Sequence, residues 1–271
     1  MSAVHFSTHG IEMGAGRVIK RFASRDDGRA GREWQGLTLL STHAPGLAPE
    51  PVKADLVADR PVVVMSRLAG VPLRGTVIGE KELAALVEAV AALHLAVPGD
   101  VLGRVPPRPG LPGELLGRID GWAADVPSQR GLVRQAMDAG LAWLQRSMLS
   151  AGAPQDLPEV FGPGDGNLAN YLWDGSRVRV VDFEDSGRSD RAFELAEITE
   201  HVGSWVEEPS DVPAFLGQFD LRPAERVRLG ECRRLLALVW LFLLAGDDPE
   251  HPRNPAGTVD KQAARVLELL G

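Results

Sequence analysis

The sequence predicts an α+β chain in two lobes, a small β-rich one followed by a larger α-helical one. Three observations carry that expectation. Residues 1–68 read as strand-rich, with a strand candidate at 17–22 after a glycine-bearing turn and a continuous apolar run of strand length at 61–65. Beyond Gly70 the apolar positions instead recur at steps of three and four, as in Leu83, Leu86, Val87, Val90 and Leu93. At 271 residues the chain is also long for a single core, since ~150 residues per domain is usual. The expected division is a first lobe over 1–68 and a helical lobe over 69–271.

Taken in order, residues 4–6 form a short β candidate, residues 12–16 a glycine-bearing turn, and residues 17–22 a strand. Trp34, Leu37 and Leu40 share one face, so residues 29–40 are expected to be helical. Residues 61–65 are a strand, ending at Ser66 to Gly70. An amphipathic helix follows over 80–96, and residues 97–113, with five prolines, read as a loop. Val133, Met137, Leu141 and Leu144 mark a helix over 132–148. A Gly/Pro-rich loop over 161–170 precedes two short strands, 171–173 and 178–181, joined by the turn signal Asp174-Gly175. Helices over 190–205, 222–244 and 258–270 complete the chain.

Composition excludes several classes. The net charge of −8 argues against a nucleic-acid binder, which needs a basic surface to displace counterions. The single cysteine, Cys232, excludes an intrachain disulfide framework, and the six histidines lack zinc-ligand spacing. The first residues lack the basic flank and apolar core of a signal peptide. The longest apolar run, 235–245, has 11 residues, where a membrane span needs ~20. A cytoplasmic protein with no membrane partner is expected.

Four positions carry the candidate chemistry. Asp165 and Asn170 lie five residues apart on a loop that Gly162, Gly164 and Gly166 allow to curl tightly. The Asp174-Gly175 turn folds the chain back, so that Asp182 returns beside that loop. Two carboxylates and an amide oxygen facing one space suit Mg²⁺, a hard cation. Lys20 sits inside the strand Val18-Ile19-Lys20-Arg21-Phe22, and Glu33 lies on the helix that follows.

In this order, the segments Gly164-Asp165 through Asn170 and Asp182-Phe183-Glu184 resemble the aminoglycoside phosphotransferase and choline kinase-like superfamily. Ser189-Asp190-Arg191-Ala192-Phe193-Glu194-Leu195-Ala196 is similar to the segment that follows them in that family. The resemblance covers residues 17–244 and implies a two-lobed, protein-kinase-like fold and ATP- and Mg²⁺-dependent transfer of a phosphoryl group to a small hydroxylated molecule. It implies Asp165 as the catalytic residue, Asn170 and Asp182 as metal ligands, and Asp190 as a brace for the catalytic loop. Lys20 and Glu33 match the phosphate-binding lysine and its helix partner, and Ser66 and Leu68 would bind the adenine through hinge backbone. Glu184 is expected either as a second metal or substrate contact or as part of a solvated acidic loop.

Two departures stand out. The family's histidine before Gly-Asp is Pro163 here, and only 19 residues precede Lys20, so the small lobe is expected to be shortened. The rival reading, supported by both departures, is a non-catalytic nucleotide-binding or partner-binding pseudokinase. Residues 156–220 carry 15 acidic and 4 basic side chains, either a solvated surface or a field that favours cationic substrates.

Overall fold

The computed structural model describes residues 10–127, 129–149, 157–248, 250–251 and 253–271, so the strand candidate at 4–6 lies outside the described residues. Strands β1 (Gly10–Met13), β2 (Arg17–Arg21), β3 (Pro51–Asp55) and β4 (Val62–Ser66) form one antiparallel sheet in the order β1-β2-β4-β3. The expected glycine turn is narrower than 12–16, because Glu12 and Met13 pair with Ile19 and Val18. Helix α1 (Arg29–His43) buries Ala30, Leu37 and Leu40. β3 has little strand signal of its own: Pro51, Lys53 and Asp55 are poor β formers, and the strand is built against β4 through a register shift after Pro51.

The remaining chain is mainly helical, with α2 (Glu80–Ala96), α3 (Gly99–Leu102), α4 (Pro112–Asp125) and α5 (Gly131–Leu144). Then come α6 (Arg191–Glu200), α7 (Val212–Leu216), α8 (Pro223–Ala245) and α9 (Thr258–Leu270). Between α5 and α6, β6 (Glu159–Gly162) pairs with β9 (Gly187–Asp190), while β7 (Tyr171–Trp173) pairs with both β8 (Val178–Val180) and β5 (Val71–Pro72). This is the expected α+β architecture, a small antiparallel sheet region before a larger helical part.

Three elements differ from the sequence expectation. α4 starts on Pro112, the last proline of the expected loop, because a proline at the first helical position sacrifices no hydrogen bond. Its buried face is Leu115 and Ile119, one turn apart. The expected loop over 161–170 begins as strand β6, whose Phe161 and Gly162 pair with Arg188 and Gly187. α6 stops at Glu200 rather than at 205, since His201 leaves helical geometry with ψ 134°.

α8 is the centre of the helical part. Leu235, Leu236, Ala237, Leu238, Val239, Leu241 and Phe242 are all buried, so the helix is covered on every side along this stretch. One apolar core runs without a break from Phe22, Leu37 and Val63 to Leu238 and Val266. No helix among the described residues is long and apolar enough to cross a membrane.

Leu37, with no exposed surface, joins the helix that carries Glu33 to this core. Leu37→Ala should therefore cost about 2–5 kcal/mol, seen as a lowered midpoint in urea unfolding, because the cavity left behind adds to the lost transfer energy.

Candidate active site

Strand alternation places Lys20 on the same face of β2 as Val18, opposite Val63 of β4, where α1 covers it. Its buried ammonium donates to Glu33 Oε2 at 2.9 Å and to Asp182 Oδ1 at 2.5 Å, and lies 2.6 Å from Glu184 Oε2. Burial alone would lower the lysine pKa. Glu33, Asp182 and Glu184 together outweigh it and hold the ammonium charged well above its ordinary range. Glu33 Oε2 also accepts the Phe183 backbone N–H at 3.0 Å, so one oxygen joins β2, α1 and the 182–184 segment.

Asp182 reaches Lys20 because its backbone is left-handed, φ 71°, a conformation aspartate tolerates better than most residues. Phe183 is fully buried behind it and stacks on Phe161 at 6.3 Å between ring centroids. Glu184 turns to the cations: its Oε1 lies 3.3 Å from Arg29 Nη1, and its carbonyl accepts from Arg32 Nε at 2.7 Å.

The second half of the site is the loop over 163–170. Gly164, at φ 91°, and Gly166 lie against backbone. A Cβ on the first would stand 2.0 Å from the Asp185 carbonyl oxygen, and on the second 2.2 Å from the Glu197 backbone. Asp165 Oδ1 accepts the Asn167 N–H at 2.9 Å, and Asp165 Oδ2 accepts from Asn170 Nδ2 at 3.1 Å. The expected hairpin then forms, with Tyr171 opposite Val180, and Val181 N–H donates to the Asn170 carbonyl at 2.9 Å. That bond brings Asn170 beside the residue preceding Asp182.

Two clusters thus adjoin through the hairpin: Lys20 with Glu33, Asp182 and Glu184, and Asp165 with Asn170. The three carboxylates Glu33, Asp182 and Glu184 converge closely enough to hold a cation, but Lys20 Nζ already serves that role. Asn170 and Asp182 each also keep an oxygen of the hard type that a divalent cation takes. The Asn170 amide commits its nitrogen to Asp165, which leaves Oδ1, while Asp182 gives Oδ1 to Lys20 and keeps Oδ2 on a side chain 37% exposed.

Sequence reasoning did not include Arg108, whose signal is hidden in the proline-rich segment before α4. The buried guanidinium donates to the Gly164 carbonyl at 2.7 Å, to Glu194 Oε1 at 3.0 Å and to Glu197 Oε1 at 3.1 Å. The expected brace, Asp190, makes no direct bond to the loop over 163–170 among the described residues. It caps α6 by accepting the Phe193 N–H at 2.8 Å and pairs with Arg228 at 3.1 Å. Asp190 is thus linked to that loop only by way of α6, whose Glu194 and Glu197 share Arg108 with the Gly164 carbonyl.

At the expected hinge, the Ser66 N–H donates to the Glu50 carbonyl at 2.9 Å, which occupies it within the sheet. The Leu68 backbone has no hydrogen-bond partner among the described residues. The acidic segment is largely consumed by internal pairing. Glu159 meets Arg188, Asp174 meets Arg179, Glu200 meets Arg233 and Arg265, and Glu207 meets Arg74. Its composition alone is therefore no sign of a substrate-attracting field.

Residues 7–228 match the model of a phosphotransferase enzyme family, abbreviated APH. The chain belongs to that family. This phosphotransferase, by class a small-molecule kinase, has the fold of several solved enzymes. The choline/ethanolamine kinase family protein from Mesorhizobium loti superposes with a TM-score of 0.62 at 20% identity, over 96% of this chain and 84% of that one. Choline kinase LicA from Streptococcus pneumoniae gives 0.62 at 15%, over 97% and 89%. The AMP-bound spectinomycin phosphotransferase APH(9)-Ia gives 0.64 at 12%, over 94% and 86%. No curated protein matches the chain in sequence.

The Arg108 network has a pH signature. Burial, the largest influence, raises the Glu197 carboxyl from 4.5 to about 7; Arg108 opposes it, and Glu194 and Asp165 add to it. The folded state thus holds this proton more tightly than the unfolded chain does. The stabilisation is complete below pH 4.5 and is lost as pH rises through about 7. Glu197→Gln should therefore gain in denaturant midpoint relative to the parent between those values. Parallel pH curves for the two proteins would exclude the effect.

Proposed function

We propose that this phosphotransferase transfers the terminal phosphoryl group of ATP, with Mg²⁺, to a hydroxyl of a small molecule. The observation that carries the reading is the double engagement of Lys20 by Glu33 and Asp182, next to the Asp165–Asn170 pair. The AMP-bound spectinomycin phosphotransferase of similar fold supports an adenine nucleotide. The lobe over 1–68 would carry the nucleotide and the one over 69–271 the acceptor, with the adenine edge bonding hinge backbone near Ser66 and Leu68.

Each side chain has a role that its surroundings permit. Lys20 would bind nucleotide phosphates, exchanging a carboxylate partner for a phosphate oxygen while Glu33 keeps the ammonium in place. Asn170 Oδ1 and Asp182 Oδ2 would hold Mg²⁺, which when bound offsets phosphate charge and orients the phosphate oxygens. Asp165, 38% exposed, would orient the acceptor hydroxyl and take its proton as the new O–P bond forms and the bond to the ADP oxygen breaks. Glu184, engaged with Lys20 and Arg29, fits a role in placing the lysine better than a second metal contact.

The test is a phosphate-transfer screen from Mg·ATP to aminoglycosides, amino-alcohols and sugars, with Asp165→Asn as control. The variant should lose ~10²–10⁴-fold in kcat with ATP binding nearly unchanged. A loss below tenfold would remove Asp165 from the chemistry. ATP binding without transfer to any acceptor would support the pseudokinase reading instead.

A further inference from the structure

The Asp165 carboxylate has a neighbour outside its own loop. His201 follows α6 and is 36 residues from Asp165 in the chain, with its side chain 9% exposed. Its ring meets Trp240 of α8 edge to face, 4.6 Å between centroids. Nδ1 accepts the Gly203 N–H at 2.9 Å, so the neutral ring carries its proton on Nε2. Nε2 lies 3.5 Å from Asp165 Oδ1. Burial is the largest influence on the ring and keeps its pKa below 6.5, aided by Arg74 and opposed by Asp165.

Two features give this contact meaning. Pro163, immediately before Gly164-Asp165, offers neither a backbone N–H nor a polar side chain, so the residues just before Asp165 supply no side-chain donor. The donors from within the loop, Asn167 N–H on Oδ1 and Asn170 Nδ2 on Oδ2, both follow Asp165 in sequence. His201 Nε2, 3.5 Å from Oδ1, approaches the same carboxylate from the residue that follows α6. The chemistry of the donor matters as well. A neutral imidazole can offer an N–H to a carboxylate oxygen without bringing a second charge to it.

We propose that His201 is a positioning residue for phosphoryl transfer, its Nε2–H holding Asp165 Oδ1 in the orientation that meets the acceptor hydroxyl. This rests on the phosphotransfer reading of Asp165. The origin of the contact is local: α6 ends at Glu200, and the turn over 202–204 that follows supplies the Gly203 N–H that selects the tautomer.

The first test needs no turnover. Imidazole nitrogen shifts of the ¹⁵N-labelled full chain, with His201 assigned by its disappearance in His201→Gln, report the tautomer. The expected result is a bare Nδ1 and a protonated Nε2 whose resonance shifts in Asp165→Asn. A ring protonated on Nδ1, or one indifferent to Asp165→Asn, overturns the proposal. The second test is kinetic, with Mg·ATP and water as the acceptor. His201→Leu should lower kcat ~10–100-fold with KM for ATP unchanged, since small misplacements of a reacting group cost that much. His201→Gln, which can present an N–H at the same place, should recover most of the loss.

Full kcat in His201→Leu, or a His201→Gln variant as impaired as His201→Leu, contradicts the assignment. If His201→Leu proves unfolded by thermal melting, the His201→Gln kinetics and the nitrogen shifts decide. Retained turnover in Asp165→Asn would overturn the phosphotransfer reading itself. Lost turnover in Asp165→Asn with full turnover in His201→Leu would overturn only the role of His201.

Discussion

One carboxylate oxygen, Glu33 Oε2, joins the parts of the candidate site. It accepts from Lys20 on β2 and from the Phe183 backbone beside Asp182, while its own helix is locked into the core by Leu37 and Leu40. The companion oxygen, Oε1, is buried with no hydrogen-bond partner among the described residues, so the arrangement accepts a desolvation cost to hold the other bonds. Sheet, helix and candidate metal segment are then a single mechanical unit. A change in any of the three is felt at the lysine.

The loop that carries Asp165 is suspended differently. Its backbone is pressed against Asp185 and α6 at Gly164 and Gly166, and its Gly164 carbonyl is tied by Arg108 to two glutamates of α6. Asp190 caps that helix, and Arg228 of α8 anchors Asp190. The loop is thus referred to the helical core rather than to a side chain just before Asp165. Pro163 is compatible with the loop because the bracing comes from Arg108 and α6.

The parts legible in sequence are those encoded by local pattern. The strand around Lys20, the hairpin at Asp174-Gly175 and the spacing from Asp165 to Asn170 each follow from neighbouring residues, and the helix over 80–96 follows from its apolar period. Arg108, His201 and β3 were not legible, for a common physical reason. Each is defined by partners distant in the chain: Arg108 by α6, His201 by Asp165, and β3 by the edge of β4. The acidic segment illustrates the same limit. Composition counts its charges, but the arginines that neutralise Glu200 and Asp190 come from α8 and α9.

The central claim is that Asp182 faces both Lys20 and the phosphates of the nucleotide, so that its charge repels ATP unless a metal intervenes. Calorimetric titration of ATP into the parent and Asp182→Asn, each with and without Mg²⁺, tests it most directly. The parent should bind Mg·ATP far more tightly than free ATP. Asp182→Asn should bind free ATP better than the parent does and lose most of the advantage that Mg²⁺ confers. Equal ATP affinity in all four titrations would contradict the account.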